Sequence, residues 1–203
     1  MAEEILWFDR WDTNIEVRDE GLKNYINLTP ILLPHTAGRH EKVQFWKNKL
    51  TIVERLMNKL MRTGSPKRKI AGRFIRRQGG LCGKKHRTFN IVRESFEIIA
   101  EKTSKNPLQV LIRAIENSAP REETTTITYG GVSYHQSVDV SPQRRLDSAL
   151  KYLAIGASAK CFKNKMSFAE ALASEVMLAA VSDNKSLAVA KKEEVERIAK
   201  SAR

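Results

Sequence analysis

Residues 124–142 read TTTITYGGVSYHQSVDVSP, and this stretch decides what kind of fold the chain adopts. Thr124 to Tyr129 and Val132 to Val140 are rich in Thr, Val, Ile and Tyr, residues that favour pleated backbone. Gly130 and Gly131 stand between the two runs, and a two-residue Gly-Gly connection is a strong hairpin signal. The ribbon has little to bury, because Thr, Ser, His and Gln dominate it, so it is expected to project into solvent or a partner. A lone hairpin is only marginally stable in water. Something should therefore receive it.

Outward from the hairpin the pattern turns helical. Ser141-Pro142 has the cap-plus-proline form of a helix start, with Leu146, Ala149, Leu150 and Leu153 on its apolar face. Ser167-Phe168-Ala169-Glu170 has capping-box spacing ahead of Leu172 and Val176, and a last helix runs around Ala188 to Ala199. On the other side, Asn106-Pro107 opens a helix through Ile115, stopped by Ser118-Ala119-Pro120. Phe89, Val92, Phe96 and Ile99 mark another, as do Ile52, Val53, Leu56, Met57, Leu60 and Met61 after the cap Thr51. His40 to Lys49, with Phe45 and Trp46, reads as a short helix at most. The chain is a set of helices interrupted by one hairpin.

Charge sets the class of partner. The 203 residues carry a formal net charge of +13, with 41% hydrophobic and 29% charged residues. That composition supports a real core, and the excess charge attracts polyanions. The excess is concentrated between Arg62 and Arg93. Arg62, Lys67, Arg68, Lys69, Arg73, Arg76, Arg77, Lys84, Lys85, Arg87 and Arg93 lie there without a single acid, among Gly64, Pro66, Gly72, Gly79, Gly80 and Gly83. A single-sign loop repels itself unless a polyanion neutralises it, so RNA or DNA contact is expected. Arg144 and Arg145 sit in the first turn of their helix, the wrong end of its dipole for cations. Either a functional demand overrides local stability there or two exposed arginines are simply tolerated.

The first thirty or so residues differ. Glu3, Glu4, Asp9, Asp12, Glu16, Asp19 and Glu20 make them acidic, and Trp7, Phe8 and Trp11 form an aromatic knot. This arm is expected to pack on the domain or on a partner, and its acid points to a protein neighbour rather than RNA.

Catalysis finds no foothold. Gly79 to Lys85 has one residue too few between its outer glycines for a phosphate-binding loop, and no Ser or Thr follows the lysine. His35, His40, His86 and His135 show no metal spacing, and Cys82 and Cys161 are far apart, so neither a metal, a cofactor nor a disulfide is expected. No apolar run approaches the ~20 residues of a membrane span. Met1 to Arg10 carries acids and no apolar core, so no membrane contact and a cytoplasmic place are expected.

Several stretches, in order, resemble one family. They are Pro34-His35-Thr36-Ala37-Gly38-Arg39, Ile52 to Met61, Gly83-Lys84-Lys85, Asn106-Pro107-Leu108-Gln109-Val110, Ala119-Pro120-Arg121-Glu122, Val138-Asp139-Val140-Ser141-Pro142-Gln143-Arg144-Arg145, and Lys191 to Ser201. The chain resembles the small-subunit ribosomal protein seven family in its archaeal and eukaryotic form, where the eukaryotic member is numbered five. The resemblance implies a mainly α fold, a bundle of about six helices with one protruding β-hairpin. It divides the chain into an extension over 1–33 and an RNA-binding domain over 34–203, with a basic insertion about 62–88 and the hairpin about 123–140.

By function, the resemblance implies a structural, non-enzymatic constituent of the small ribosomal subunit. It would bind the 3′ major domain of the ribosomal RNA, nucleate head assembly, touch neighbouring small-subunit proteins, and take no small-molecule substrate. RNA contact falls by resemblance on Arg39, Lys84, Lys85, Arg121, Arg144 and Arg145. The hairpin tip, Tyr129, Gly130, Gly131 and Val132, falls at the exit (E) site near tRNA and messenger RNA. The insertion is longer than the family's usual short loop, so contact by its cations, from Arg62 to Arg77 and at Arg87, is expected from charge alone. The rival readings are a duplex-DNA-binding module, lacking an evident recognition helix, and a protein scaffold using the acidic arm.

Overall fold

The computed structural model describes residues 6–63, 69–70, 73–74 and 80–203. Among these, seven α-helices and four strands follow the order α1 (Glu20–Lys23), α2 (Ile52–Leu60), β1 (Lys69–Ile70), β2 (Arg73–Phe74), α3 (Lys85–Thr103), α4 (Pro107–Ser118), β3 (Glu122–Tyr129), β4 (Val132–Asp139), α5 (Pro142–Cys161), α6 (Phe168–Ala180) and α7 (Leu187–Ser201). The fold is mainly helical with one long antiparallel hairpin, as the sequence leads one to expect. β1 and β2 form a separate two-residue ladder inside the basic insertion.

Local chemistry starts the helices where the caps sit. The Thr51 hydroxyl accepts from Glu54 N–H, the Asn106 side chain from Leu108 N–H, and Ser167 with Glu170 closes a complete capping box. Between Arg39 and Lys49 the chain makes two 3-10 turns, Arg39–Glu41 and Trp46–Lys49, in place of the short helix expected. Gly38 and Phe45 precede these turns with φ of 76° and 65°, a conformation that breaks any continuous helix.

Helix α6 occupies the centre, packed by α3, α4, α5 and α7. Its small residues allow this, since Ala169, Ala171, Ala173 and Ala179 are all buried. Around it close Val92, Phe96 and Ile99 of α3, Leu108, Leu111 and Ile115 of α4, and Leu146, Leu150 and Leu153 of α5. The carboxylate of Glu175, buried in α6, fastens two neighbours. It meets Lys160 Nζ of α5 at 2.8 Å and accepts from Ser186 Oγ at 2.7 Å and Ala188 N–H at 3.2 Å, at the start of α7.

The acidic arm packs on its own domain. Trp7 is buried and donates through Nε1 to Leu28 O at 3.1 Å. Phe8 meets the rings of Phe89 and Phe96 at 5.1 and 5.7 Å, and Trp11 packs edge-on to Phe96. Further along, Gln109 and Glu116 of α4 accept from the N–H groups of Glu16, Arg18 and Asp19. Its acids find partners within the chain: Glu16 pairs with Arg113 at 3.2 Å and Asp19 with Arg145 at 2.6 Å. The acid of Asp19 serves packing within the chain, whereas Glu16 stays largely exposed beside Arg113.

Candidate nucleic-acid interface

Helix α3 opens with Lys85, His86 and Arg87, has no acid in its first turn, and has no side-chain cap at Lys84. Cations there oppose the helix dipole, so the arrangement needs compensation. Lys85 finds it inside the protein: its Nζ lies 2.5 Å from Oε1 of Glu54, which is fully buried in α2. The same oxygen accepts from Thr36 N–H at 3.1 Å and Thr36 Oγ1 at 3.0 Å. One carboxylate thus ties the Pro34–Gly38 loop, α2 and the start of α3 together. Lys84 and Arg87 are exposed and enter no ion pair among the described residues.

The two arginines of α5 divide in the same way. Arg145 is buried, donating through Nη2 to Asp19, so it serves the packing of the arm. Burial works against the Asp19 carboxylate, but the Arg145 hydrogen bond and charge, the Gly21 N–H and the charge of Arg121 overcome it and hold its pKa below the usual carboxylate value. Arg144 is exposed beside Glu123 of β3, Nε to Oε1 2.8 Å. Arg39, Arg62 and Arg121 are exposed and outside any ion pair among the described residues. Lys67, Arg68, Arg76 and Arg77 lie outside the described residues. Of Lys69 and Arg73 only the backbone is described, paired with Phe74 and Ile70.

Beside the Gly83–Lys85 turn is a cavity of about 460 Å³, walled by the His35–Gly38 loop, α2 and Asp147 of α5. Three cations converge on that one carboxylate: Lys47 at 2.6 Å, Arg55 at 3.2 Å and Lys59 at 3.2 Å. Burial raises the Asp147 pKa, yet the Lys47 hydrogen bond and the charges of Lys59, Arg55 and Lys47 outweigh it and leave it below the usual carboxylate value. Burial also lowers the pKa of Lys59, which Asp147 only partly restores, with Lys47 and Arg62 pushing the same way as burial. The site holds more positive charge than it neutralises.

Sequence reasoning missed Lys47, Lys59 and the buried Arg55 as contributors to this cationic wall. A signal was present, since Phe45-Trp46 lies among Lys42, Lys47 and Lys49, and basic residues interleaved with aromatics are a mark of nucleic-acid binding.

The hairpin pairs eight residues on each strand, from Glu122↔Asp139 to Tyr129↔Val132. Gly130 and Gly131 have φ of 57° and 82°, as a two-residue turn matched to strand twist demands. Register puts Ile127, Tyr129, Val132 and Tyr134 together on one face, all exposed, with Tyr129 82% accessible. Thr126, Thr128, Ser133 and His135 form the other face. At the base, the ribbon is received by α7: Ser137 N–H donates to Ala202 O at 3.2 Å, Arg121 N–H to Glu196, and Arg203 pairs with Glu122.

Among the described residues, no group of three or more His, Cys, Asp or Glu is arranged to hold a metal ion, and no helix is long and apolar enough to cross a membrane. Cys82 and Cys161 are free thiols. The surface offers exposed cations, a cationic cavity and a projecting ribbon, which suits positioning a polyanion. Compared with known protein families, residues 22–203 match the family Ribosomal protein S7p/S5e. The match takes in α2 to α7, the basic insertion and the hairpin. The chain belongs to the ribosomal protein S7p/S5e family, and is a structural, RNA-binding component of the small ribosomal subunit.

Proposed function

We propose that this chain binds the 3′ major domain of small-subunit ribosomal RNA, nucleates assembly of the head, and extends its hairpin to the exit site beside departing tRNA and messenger RNA. The observation that carries the RNA contact is the contrast between two helix starts. Both α3 and α5 open with cations and no acid. In α5 the cations are answered by Glu123 and Asp19, whereas in α3 only Lys85 is answered, leaving Lys84 and Arg87 exposed. Phosphates supply the missing charge. The contact surface comprises Arg39, Arg62, Lys84, Arg87 and Arg121, joined by Lys67, Arg68, Lys69, Arg73, Arg76 and Arg77 of the insertion, with Arg144 at its edge, exposed although paired with Glu123. Lys85 and Arg145 hold that surface in place through Glu54 and Asp19.

Binding of this kind positions the protein by neutralising phosphates and by fitting the shape and 2′-hydroxyls of folded RNA. The hairpin reading is supported by a ribbon anchored at its base on α7, with an exposed tip at Tyr129, Gly130, Gly131 and Val132. The test is the double variant Lys84→Ala, Arg87→Ala, titrated by filter binding against a 3′ major domain transcript across salt. Weaker binding and a shallower salt dependence, with an unchanged melting curve, are expected. Wild-type affinity and slope in the variant would remove these residues from the interface.

A further inference from the structure

A second cavity of about 380 Å³ adjoins the cationic one. The two share His35, Thr36, Ala37, His40 and Leu50 as a common wall, but their far walls differ in chemistry. One side is cationic, with Lys47, Lys59, Arg62 and Lys85; the other carries the half-exposed indole of Trp46, over which Lys49 Nζ sits 5.1 Å from the ring centroid. The guanidinium of Arg55, 2% exposed and lining the cationic side, leaves its Nε–H without a partner among the described residues. Ala37, a non-glycine residue of the shared wall, adopts left-handed backbone at φ 49°. Such a conformation is unfavourable for a residue with a side chain and persists where surrounding structure imposes it. Here the imposing contacts are the two hydrogen bonds from Thr36 to the buried Glu54, which fix the loop on α2.

A cationic cavity beside an aromatic one, at volumes typical of ligand sites, matches the two ends of a nucleotide. We propose that the paired cavities receive one unpaired ribonucleotide of the bound RNA, its base against Trp46 and its phosphate among Lys47, Lys59 and Arg62. The site selects a nucleotide splayed from its helix, because a stacked base cannot reach the indole while its own phosphate enters the cationic side. Excess positive charge around Asp147 is then neutralised by the phosphate. The inference rests on the RNA-binding reading above and adds a specific reason for the loop's geometry.

The experiment is chemical probing of nucleotide flexibility in the 3′ major domain transcript, free and bound to wild-type protein, Trp46→Leu and Trp46→Tyr, with affinities measured in parallel. One unpaired nucleotide should become protected by the wild type and by the tyrosine variant, which keeps an aromatic face. It should stay reactive with the leucine variant, whose Kd should rise about tenfold, as loss of a base–aromatic stack does. Melting curves of the variants should match wild type, since Trp46 lies outside the core. A leucine variant with wild-type affinity and an unchanged protection pattern overturns the receptor and leaves RNA binding standing. A wild type that does not bind the transcript removes both. The four ribonucleoside 5′-monophosphates are titrated singly in a separate arm: Trp46-dependent saturation by one of them, without protection in the transcript, overturns the RNA source in favour of a free nucleotide.

Discussion

Adjacent lysines at the start of α3 have opposite jobs. Lys85 balances the buried carboxylate of Glu54, so Lys85→Ala should cost about 3–5 kcal/mol in urea denaturation by stranding that charge. Lys84→Ala should stay within about 0.5 kcal/mol of wild type, as exposed substitutions do, while weakening RNA binding. A similar cost for both would show that Glu54 is solvated or otherwise paired. The carboxylates of Asp19 and Asp147 make a pH prediction. Both carboxyls are held below the ordinary carboxylate value, so their contribution to stability is complete above it and is lost as pH falls through the lowered values. Stability followed by denaturant midpoint should therefore drop below about pH 4, and Asp147→Asn should flatten the drop. Nothing in the sequence separates Lys84 from Lys85, or Arg144 from Arg145. Their partners, Glu54 and Asp19, lie 31 and 126 positions away, and no period or spacing reports contacts at that range.

Helix starts were legible because capping is local: Thr51, Asn106-Pro107 and Ser167-Glu170 each act within three residues. The Gly130-Gly131 turn was legible for the same reason. The arm was not, since its strap along α4 uses Gln109 and Glu116, nearly a hundred residues from the backbone they bind. At this scale the junction of α5, α6 and α7 is the most sensitive point. A methyl group on Gly156 would lie 2.5 Å from Oε1 of Glu175. Because that carboxylate holds Lys160, Ser186 and the Ala188 N–H, it cannot move freely, and Gly156→Ala should cost about 1–3 kcal/mol by overpacking. Thermal denaturation checks this; an unshifted midpoint would mean the carboxylate swings aside. The hairpin behaves oppositely. Replacing residues 125–136 by a short turn removes exposed strand but keeps Glu122, Ser137 and their contacts with α7. Such a variant should keep its melting midpoint and its affinity for the transcript, and alter tRNA retention or reading-frame fidelity in particles that contain it. Loss of small-subunit particles would contradict this division of roles.

For the whole molecule, a net charge of +13 announced a polyanion partner, but not how the charge is spent. Among the described residues, the most buried carboxylates are taken up by internal pairs, such as Asp19 with Arg145, Glu54 with Lys85 and Glu175 with Lys160. What remains for a partner is concentrated around the loop–α2–α3 junction, at Arg39, Arg62, Lys84 and Arg87. That placement was half legible: the acid-free run from Arg62 to Arg93 marked the region, whereas Lys47 and Lys59 join it only through the folding of the loop over α2 and α5. Binding of a folded RNA by this surface should combine a steep salt dependence with selection of shape. The most direct test is binding of the intact chain to a 3′ major domain transcript, with an equal length of duplex DNA as competitor, from low to high salt. Tight binding to the transcript that weakens with salt yet survives excess duplex DNA is the predicted result. Equal affinity for both, lost together as salt rises, would contradict the account and leave only a generic polycation.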